Sequence, residues 1–506
     1  MAPPEEETAA MKAPLLEPVR LRAEAQAIAG DEEEEEGNKG FGRRLLEENK
    51  KLWVVAGPSI CTRFSTFGLT VISQAFIGHI GATELAAYAL VSTVLMRFSH
   101  GILLGMASAL DTLCGQSYGA KQYHMMGIYL QRSWIILFGC CILILPIYAF
   151  TESILILLGQ DPRICAVAGT IGLWYIPSLF STAFNFTLQM YLQSQSKNFV
   201  ITYLAFISFF LHLFLSWLLT AKFHLGLAGV MLSMIIAMWI PVLGQLAFVL
   251  FGGCPLTWTG FSSTAFTDLL PILKLSVSSG VMLCLELWYN SILVLLTGYM
   301  KNAEVALDAL SICLNINGWE MMISVGFLAA TGVRVANELG ARSARKAKFA
   351  IYNVVTISFL IGVVSFVFFL LFRGKLSYVF TESEEVAAAV ADLSPLLAFS
   401  ILVNSVQPVL SGVAVGSGWQ SIVAYVNLTT YYLIGIPLGA ILGYVAGYHV
   451  KGIWIGMLLG TVVQTIVLLF IIIRTDWQKE VEVAQERLQR WNMEGNKRTA
   501  DSKGSP

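Results

Sequence analysis

A carboxylate in the middle of a long apolar run is expensive to keep, and Glu286 is the clearest case, in the segment VMLCLELWYNSILVLL. An acid deep in hydrocarbon costs several kcal/mol unless it is neutralised or paired, so its presence points to use. Burial disfavours the charged form, which suits a group that picks up and loses a proton near neutral pH. Tyr289 and Asn290 follow at three and four residues, on the same helix face. The other reading is a structural acid paired with an arginine or with helix backbone. Downstream, Asp308, Ser311 and Asn315 are spaced by three and four to make a polar stripe, and Glu320 in NINGWEMM lies rotated off it. Asp308 falls near a helix start, where it could simply interact with the N-terminal dipole. Asn404 and Gln407 in ILVNSVQPVLSG add neutral hydrogen-bonding groups beside Pro408, which can open the backbone. Helix-to-helix adhesion would explain these two equally well.

The first half of the chain has fewer such groups. Asp111, Arg63 and Arg97 fall within or near apolar spans and make a plausible static ion-pair network, while Pro58 permits a bend. His212 in SFFLHLFL reads as a satisfied core histidine more readily than as a proton relay. No Gly-rich phosphate loop, HExxH pair or GxSxG elbow occurs, so ATP coupling and the common hydrolases lack their residues.

The elements that must position these groups follow from composition. The chain has 506 residues, 56% of them apolar and 13% charged, with mean hydropathy +0.68, too apolar for a soluble protein of this length. Residues 1–51 and 474–506 hold 34 of the 65 charges, which leaves the interior nearly uncharged and excludes a nucleic-acid-binding face. Eight cysteines lie mostly in apolar runs without CxxC spacing, which reads as core packing and not as a metal site or disulfide framework. Twelve apolar segments are each long enough to cross a bilayer as a helix: 52–80, 85–113, 124–150, 166–193, 199–220, 225–251, 268–298, 305–332, 347–372, 386–415, 419–445 and 450–473. Arg334, Arg342, Arg345, Lys346 and Lys348 make the eighth-to-ninth connection the most basic, so that loop is expected in the cytosol. An even number of spans then puts both tails there.

The expected organisation is a disordered acidic tail over 1–51, a first lobe over 52–251, a linker over 252–267, a second lobe over 268–473 and a tail over 474–506. In that last segment Trp477, Val481, Ala484, Leu488 and Trp491 fall on one side of a helix, which suggests an amphipathic helix lying on the membrane surface or a short coiled-coil seam. Asn185 and Asn427 match the glycosylation pattern but fall inside spans, out of reach of modification. Leu15-Leu16 and Leu45-Leu46 resemble sorting pairs that are also common by chance.

The chain also aligns with itself at an offset of 220 to 222 residues. Gly78, Glu84, Ala86, Ala89 and Leu90 recur as Gly298, Glu304, Ala306, Ala309 and Leu310; Gly105, Ala109, Gly119, Ala120 and Lys121 meet Gly326, Ala330, Gly340, Ala341 and Arg342; Tyr203 meets Tyr425. Six spans per unit make this a parallel duplication about an axis along the membrane normal. Two bundles facing a central cleft suit alternating access.

The segments FIGHIGATELAAYAL, GILLGMASALDTLCGQSYGAKQYHMMGIYLQRSW, LCLELWYN, GVRVANELGA and SGVAVGSGWQ resemble the multidrug and toxic compound extrusion (MATE) family, most strongly its plant DETOXIFICATION branch. The resemblance spans about Lys51 to Trp477. It implies an all-α polytopic membrane protein with twelve helices in two six-helix lobes, a central cavity, and antiport of an organic solute against protons. It also implies that the acid of LCLELWYN, here Glu286, couples to protons. Many relatives have an Asp in the tenth helix where this chain has Asn404, which cannot carry a proton, so coupling is expected to rest on Glu286 with Asp308 or Glu320. Trp288, Tyr289, Asn290, Asn315, Asn404 and Gln407 are the expected solute-lining residues. The tenth-helix sequence is also similar to vacuolar flavonoid carriers, which favours the vacuolar membrane and flavonoid-like, alkaloid or other organic solutes. Protons, solute and lipid are the expected partners of a monomer that needs no metal or cofactor and is driven by the proton gradient. A passive channel or facilitator, or a lipid-linked membrane enzyme, are the alternatives.

Overall fold

A chain that crosses hydrocarbon must satisfy its backbone N–H and C=O groups internally, and helices do so locally. The structure is a computed structural model that describes residues 40–298, 304–373, 375–379 and 383–502, and among these it is almost entirely helical, with no strand. The expected acidic run of the N-terminal tail lies outside the described residues. By its packing the chain divides into Met1–Lys51 and Leu52–Pro506.

Among the described residues twelve helices are long and apolar enough to cross a membrane: α1 (Phe41–Ile80), α2 (Ala82–Gly119), α3 (Tyr123–Ala149), α4 (Pro162–Ser194), α5 (Asn198–Lys222), α6 (Gly226–Gly253), α7 (Leu269–Gly298), α8 (Glu304–Gly340), α9 (Ala344–Leu371), α10 (Glu384–Ser417), α11 (Gln420–Val445) and α12 (His449–Arg474). A thirteenth helix, α13 (Trp477–Ser502), follows. The protein is an all-α polytopic membrane protein, and the twelve spans follow the expected ones closely. The main differences are at α1, which begins at Phe41 so that residues 41–51 are helical and not part of a disordered tail, and at α8, which runs on to Gly340 instead of stopping near residue 332. Arg334 is therefore no loop residue: it is buried inside α8 and paired with Glu338 one turn on at 2.5 Å, which removes the charge penalty that had argued for a loop.

The linker between α6 and α7 is strapped to the first bundle. Gln131 of α3 donates to the Gly260 carbonyl at 3.0 Å and accepts from the Ser262 N–H at 2.9 Å, while Tyr191 of α4 donates to Thr257 at 2.7 Å. A large apolar core joins α2, α3, α4 and α6, centred on Tyr88, Leu110, Tyr129 and Tyr175. Further cores bind α8, α10 and α12, and α1 packs Leu52, Val55 and Ala56 against Phe327, Ala330, Val354 and Val409 of α8, α9 and α10.

The two halves meet along the C-terminal part of α2. A Cβ on Gly105 would strike the backbone of Gly280 in α7, one on Gly119 the Asn337 carbonyl of α8, and one on Gly340 the Gln116 carbonyl of α2. Only glycine permits that approach. Thr112 donates to the Val415 carbonyl at 2.5 Å and Gln116 to the Gly416 carbonyl at 3.0 Å, tying α2 to α10.

The apolar stripe of α13 does not lie on lipid, as the amphipathic pattern suggested. Trp477, Val481, Ala484 and Leu488 are buried, and the first three of them join a core that includes Leu339, Ile351 and Val415; the side chain of Trp491 lies outside the described residues. The polar flank of the helix bridges the two halves: Arg487 donates to Gln116 Oε1 at 2.8 Å, and Gln485 donates to the Gly340 carbonyl at 3.0 Å. Burial lowers the pKa of the Arg487 guanidinium from its ordinary value while nearby Glu480 acts in the opposite sense.

This geometry gives a test of the glycine contacts. Gly340→Val should strain the junction by about 1–3 kcal/mol, the usual effect of overpacking. In a Cys61→Ser background, a cysteine placed at the fully buried Ser117 should react slowly with an aqueous alkylating reagent. Adding Gly340→Val should raise that rate several-fold, whereas an unchanged rate would mean that the junction tolerates the side chain.

Candidate functional site

The expected acids are carried by α7 and α8. Glu286 lies near the middle of α7 and is 7% exposed. Its partners come from α10: Ser411 donates to Glu286 Oε2 at 3.4 Å, and Gln407 donates to Ser411 at 3.2 Å and is itself a hydrogen-bonding neighbour of the carboxyl. Gln407 and Ser411 are one turn apart on a single face of α10, and both are buried. Pro408 between them lacks an N–H, which frees the carbonyl of Asn404 from the helix ladder. A carboxyl is thus joined to a short relay of an amide and a hydroxyl across two helices.

A third helix closes around this relay. Asn427 of α11 donates to the Met282 carbonyl at 3.3 Å and Tyr432 to the Leu285 carbonyl at 3.1 Å, so α11 grips α7 over the turn that leads into Glu286. Tyr431, 2% exposed, lies within electrostatic reach of Glu286 and stacks on Tyr289 with ring centroids 4.2 Å apart. This stretch of α11, Leu428–Gly435, is wound as a π-helix, a local widening that is common at functional places.

The remaining expected residues divide. Gln407 lies with Glu286. Asn404 turns to α8 and donates to Asn317 Oδ1 at 3.2 Å. Trp288 faces the other half of the molecule, stacked on Phe98 of α2 at 5.2 Å, with its indole N–H buried and without a partner among the described residues. Asn315 is exposed on α8. Tyr289, expected to line the site, is instead built into the second-lobe core: its hydroxyl donates to the Met457 carbonyl at 2.5 Å in a notch formed by Gly435 and Gly460. The side chains of Asn290 and Asp308 lie outside the described residues, although Asp308 falls in the first two turns of α8.

Glu320 has different surroundings from Glu286. One carboxyl oxygen accepts from Ser324 of the same helix at 2.6 Å; the other, Oε2, is buried and unpartnered among the described residues. It borders a cavity of about 370 Å³ between α1, α8 and α9, lined by Phe64, Trp319, Ile323, Phe368 and Phe369.

In the first half, Asp111 and Arg63 are electrostatic neighbours, but Asp111 Oδ1 has no hydrogen-bond partner among the described residues and Arg97 is exposed, so no tight ion-pair network forms there. His212 is fully buried, with Ser73 at 3.0 Å from Nε2 and Ser233 at 2.8 Å from Nδ1, a satisfied core histidine. A small polar cavity of about 50 Å³ lies between Thr62, Thr66, Ser181, Asn185, Gln189 and Ser208. Sequence inspection missed that cavity because its hydroxyls and amides are scattered over three helices. It also missed Ser411 and Asn317, although the one-turn spacing from Gln407 to Ser411 was a usable signal. Among the described residues no group of three His, Cys, Asp or Glu side chains is placed to hold a metal ion.

The MatE family matches this chain over residues 58–218 and again over 279–441, two stretches whose starts are 221 residues apart, within the offset of the internal repeat. Protein DETOXIFICATION 21 of Arabidopsis thaliana is 62% identical over 458 residues, covering 90% of this chain and 93% of the relative. Protein DETOXIFICATION 20 of the same plant is 61% identical over the same shares. Among solved structures, the eukaryotic MATE transporter AtDTX14 superimposes with a TM-score of 0.83 at 34% identity, covering 88% of this chain and 99% of that one.

Tyr289→Phe separates a core role from a solute-lining one. Loss of the hydroxyl bond to Met457 should destabilise the second lobe by about 1 kcal/mol. The variant should melt at a lower temperature in detergent while its KM for solute stays unchanged; a raised KM with unchanged melting would put the hydroxyl in the solute site.

Proposed function

The chain belongs to the MatE family and is a membrane transporter of the detoxification type, and from that premise we propose that it is a proton-coupled antiporter of organic solutes working by alternating access. The observation that carries this reading is Glu286, a carboxyl buried in α7 against the Gln407 and Ser411 relay of α10 and held in place by α11.

Deprotonated Glu286 is an acceptor, and Ser411 donates to it. Protonation turns one carboxyl oxygen into a donor, so the relay must reverse or break. Because Ser411 and Gln407 sit on α10, and Tyr431 beside the carboxyl sits on the widened stretch of α11, the change is felt by three helices of the second lobe. Solute held by the deprotonated arrangement is released when the proton arrives, and loss of the proton restores binding. Trp288, Gln407, Asn404 and Asn315 supply the aromatic and amide surface, with Asn290 as a further contributor. Such groups suit planar, hydroxylated or weakly basic molecules, flavonoid-like compounds and alkaloids among them. With Asn404 unable to carry a proton, Asp308 and Glu320 are the candidates for any second coupling site. The basic end of α8 and α9 faces the cytosol, so the glycine junction of α2 with α7 and α8 closes the cytosolic side. The vacuolar membrane is the favoured location.

The test is uptake of a flavonoid glycoside and an alkaloid into proteoliposomes under an imposed pH gradient. Native protein should accumulate solute above equilibrium, reverse direction with the gradient, and lose accumulation on addition of a proton ionophore. Glu286→Gln should fall to the equilibrium level with normal expression and melting. Gradient-independent flux in both proteins would make this a facilitator and return Glu286 to a structural role.

A further inference from the structure

By its packing α13 belongs to the second half of the molecule. Trp477, Val481 and Ala484 share a core with Leu339, Ile351 and Val415. Trp419, in the turn before α11, donates to Glu480 Oε2 at 2.9 Å, and Arg342, in the turn after α8, donates to Gln485 Oε1 at 3.0 Å. Arg487 reaches the other way. Its Nη1 donates to Gln116 Oε1 of α2 at 2.8 Å, and Tyr129 of α3 lies within its electrostatic reach. The end of α10 leaves room for it: Gly418 stands at φ +83°, and a Cβ there would strike the guanidinium. A bond from an ionised donor is stronger than one between neutral groups, so this contact is the stiffest kind of polar tie that α13 can make to the first half.

The internal repeat supplies a comparison. At the offset of 221 residues that aligns α2 with α8, Gln116 corresponds to Asn337, and the two amides make reciprocal bonds between the halves. Gln116 Nε2 donates to the Gly416 carbonyl of α10 at 3.0 Å, and Asn337 Nδ2 donates to the Ser194 carbonyl of α4 at 3.4 Å. The amide oxygen of Asn337 is buried without a partner among the described residues, whereas that of Gln116 is taken by Arg487. An amide is planar, so a donor that fixes its oxygen also fixes the direction of its NH2. Of two equivalent bonds between the halves, the one that α13 supports is the shorter.

We propose that Arg487 is a positioning residue of the transport cycle: acting through Gln116, it latches the first half to the second at the glycine junction and holds that end shut. This rests on the alternating access proposed above. In such a cycle the halves part at this end, and because the apolar face of α13 is bound to the second half, the bond from Arg487 to Gln116 is the one that must break. Its strength then sets the fraction of molecules in which the junction is open.

Double electron–electron resonance on the full-length protein in nanodiscs, with no solute and no pH gradient, reads the junction directly. Spin labels go on His124→Cys and Arg345→Cys, exposed positions at the starts of α3 and α9, in a background where the exposed Cys61 is replaced by serine. Native protein should give a dominant short distance. Arg487→Ala should raise the long-distance population at least threefold, a change that a purely structural loss, seen as lower melting alone, would not produce. Gln116→Ala should raise it at least as much, and adding Arg487→Ala to Gln116→Ala should change nothing further, because the arginine acts through that amide. Lys479→Ala, which removes a charge from an exposed position on the same helix, should match the native protein. Melting curves identify any variant that does not fold; if Arg487→Ala is one, Arg487→Lys takes its place, with a rise between native and the Gln116→Ala value. A folded Arg487 variant with the native distance distribution would overturn the proposal. So would a native distribution already dominated by the long distance, or an effect of Arg487→Ala that persists in full when Gln116 is alanine. If the distances shift as expected but no gradient drives uptake, the latch stands and antiport falls; gradient-driven uptake with unchanged distances gives the reverse.

Discussion

The contact on which the rest of the molecule depends is the one that side chains would forbid, the backbone-to-backbone approach of α2 to α7 and α8. Gly105, Gly119 and Gly340 each bring a helix so near its neighbour that a methyl group would strike main-chain atoms. Without an aqueous hydrophobic effect between helices, close packing and hydrogen bonds must hold the halves together, and small residues make both possible. Here the short distance lets Thr112 and Gln116 reach carbonyls of α10. Few side chains need to rearrange if the two halves part, as the alternating access we propose requires. The Arg487 and Gln485 contacts of α13 lie across the same end, so the last helix adds polar bonds where the membrane helices offer mainly van der Waals contact.

The second constraint is polar satisfaction in a low-dielectric interior. Most buried polar groups obey it. His212 has hydroxyls at both ring nitrogens, Trp134 donates to Thr187, and Arg334 pairs with Glu338. Against that background the two mid-span acids differ from each other. Glu286 is tied into a relay that crosses helices, so a change in its protonation must be transmitted. Glu320 is hydrogen-bonded only within its own helix, through Ser324, so a change there is local.

How much of this was readable beforehand follows from the same physics. The spans were legible because hydrocarbon imposes length and apolarity on every helix, and the duplication because the packing glycines recur at a fixed offset. The burial of Glu286 was legible because the run around it is apolar. The end of α8 was not, since Arg334 looks like a loop residue until Glu338 one turn away is seen to pair with it. The destination of α13 was not either: an amphipathic stripe states that one face is covered and leaves open whether lipid or protein covers it. Tyr289 was placed on the right face of α7 by its spacing from Glu286, yet its hydroxyl went to a carbonyl of α12 through a notch made by two glycines from other helices. Spacing within one helix carries no information about such a partner.

The duplication also explains why the chemistry is unequal between the halves. With the offset that aligns α1 with α7, Glu286 falls opposite Thr66, and with the offset that aligns α2 with α8, Glu320 falls opposite Ser99. Both hydroxyls are satisfied by carbonyls of their own helices, Thr66 by Thr62 and Ser99 by Leu95. Thr66 borders the small polar cavity of the first half, so the repeat places a polar position in the same part of both bundles, but a carboxyl in only one. A hydroxyl bonded within its helix keeps its arrangement at any pH, whereas a carboxyl joined to a neighbouring helix does not. Two bundles of like architecture can then play different parts, one as a fixed frame and the other as the element whose internal hydrogen bonds change, and relative motion between them requires only that one of the pair responds.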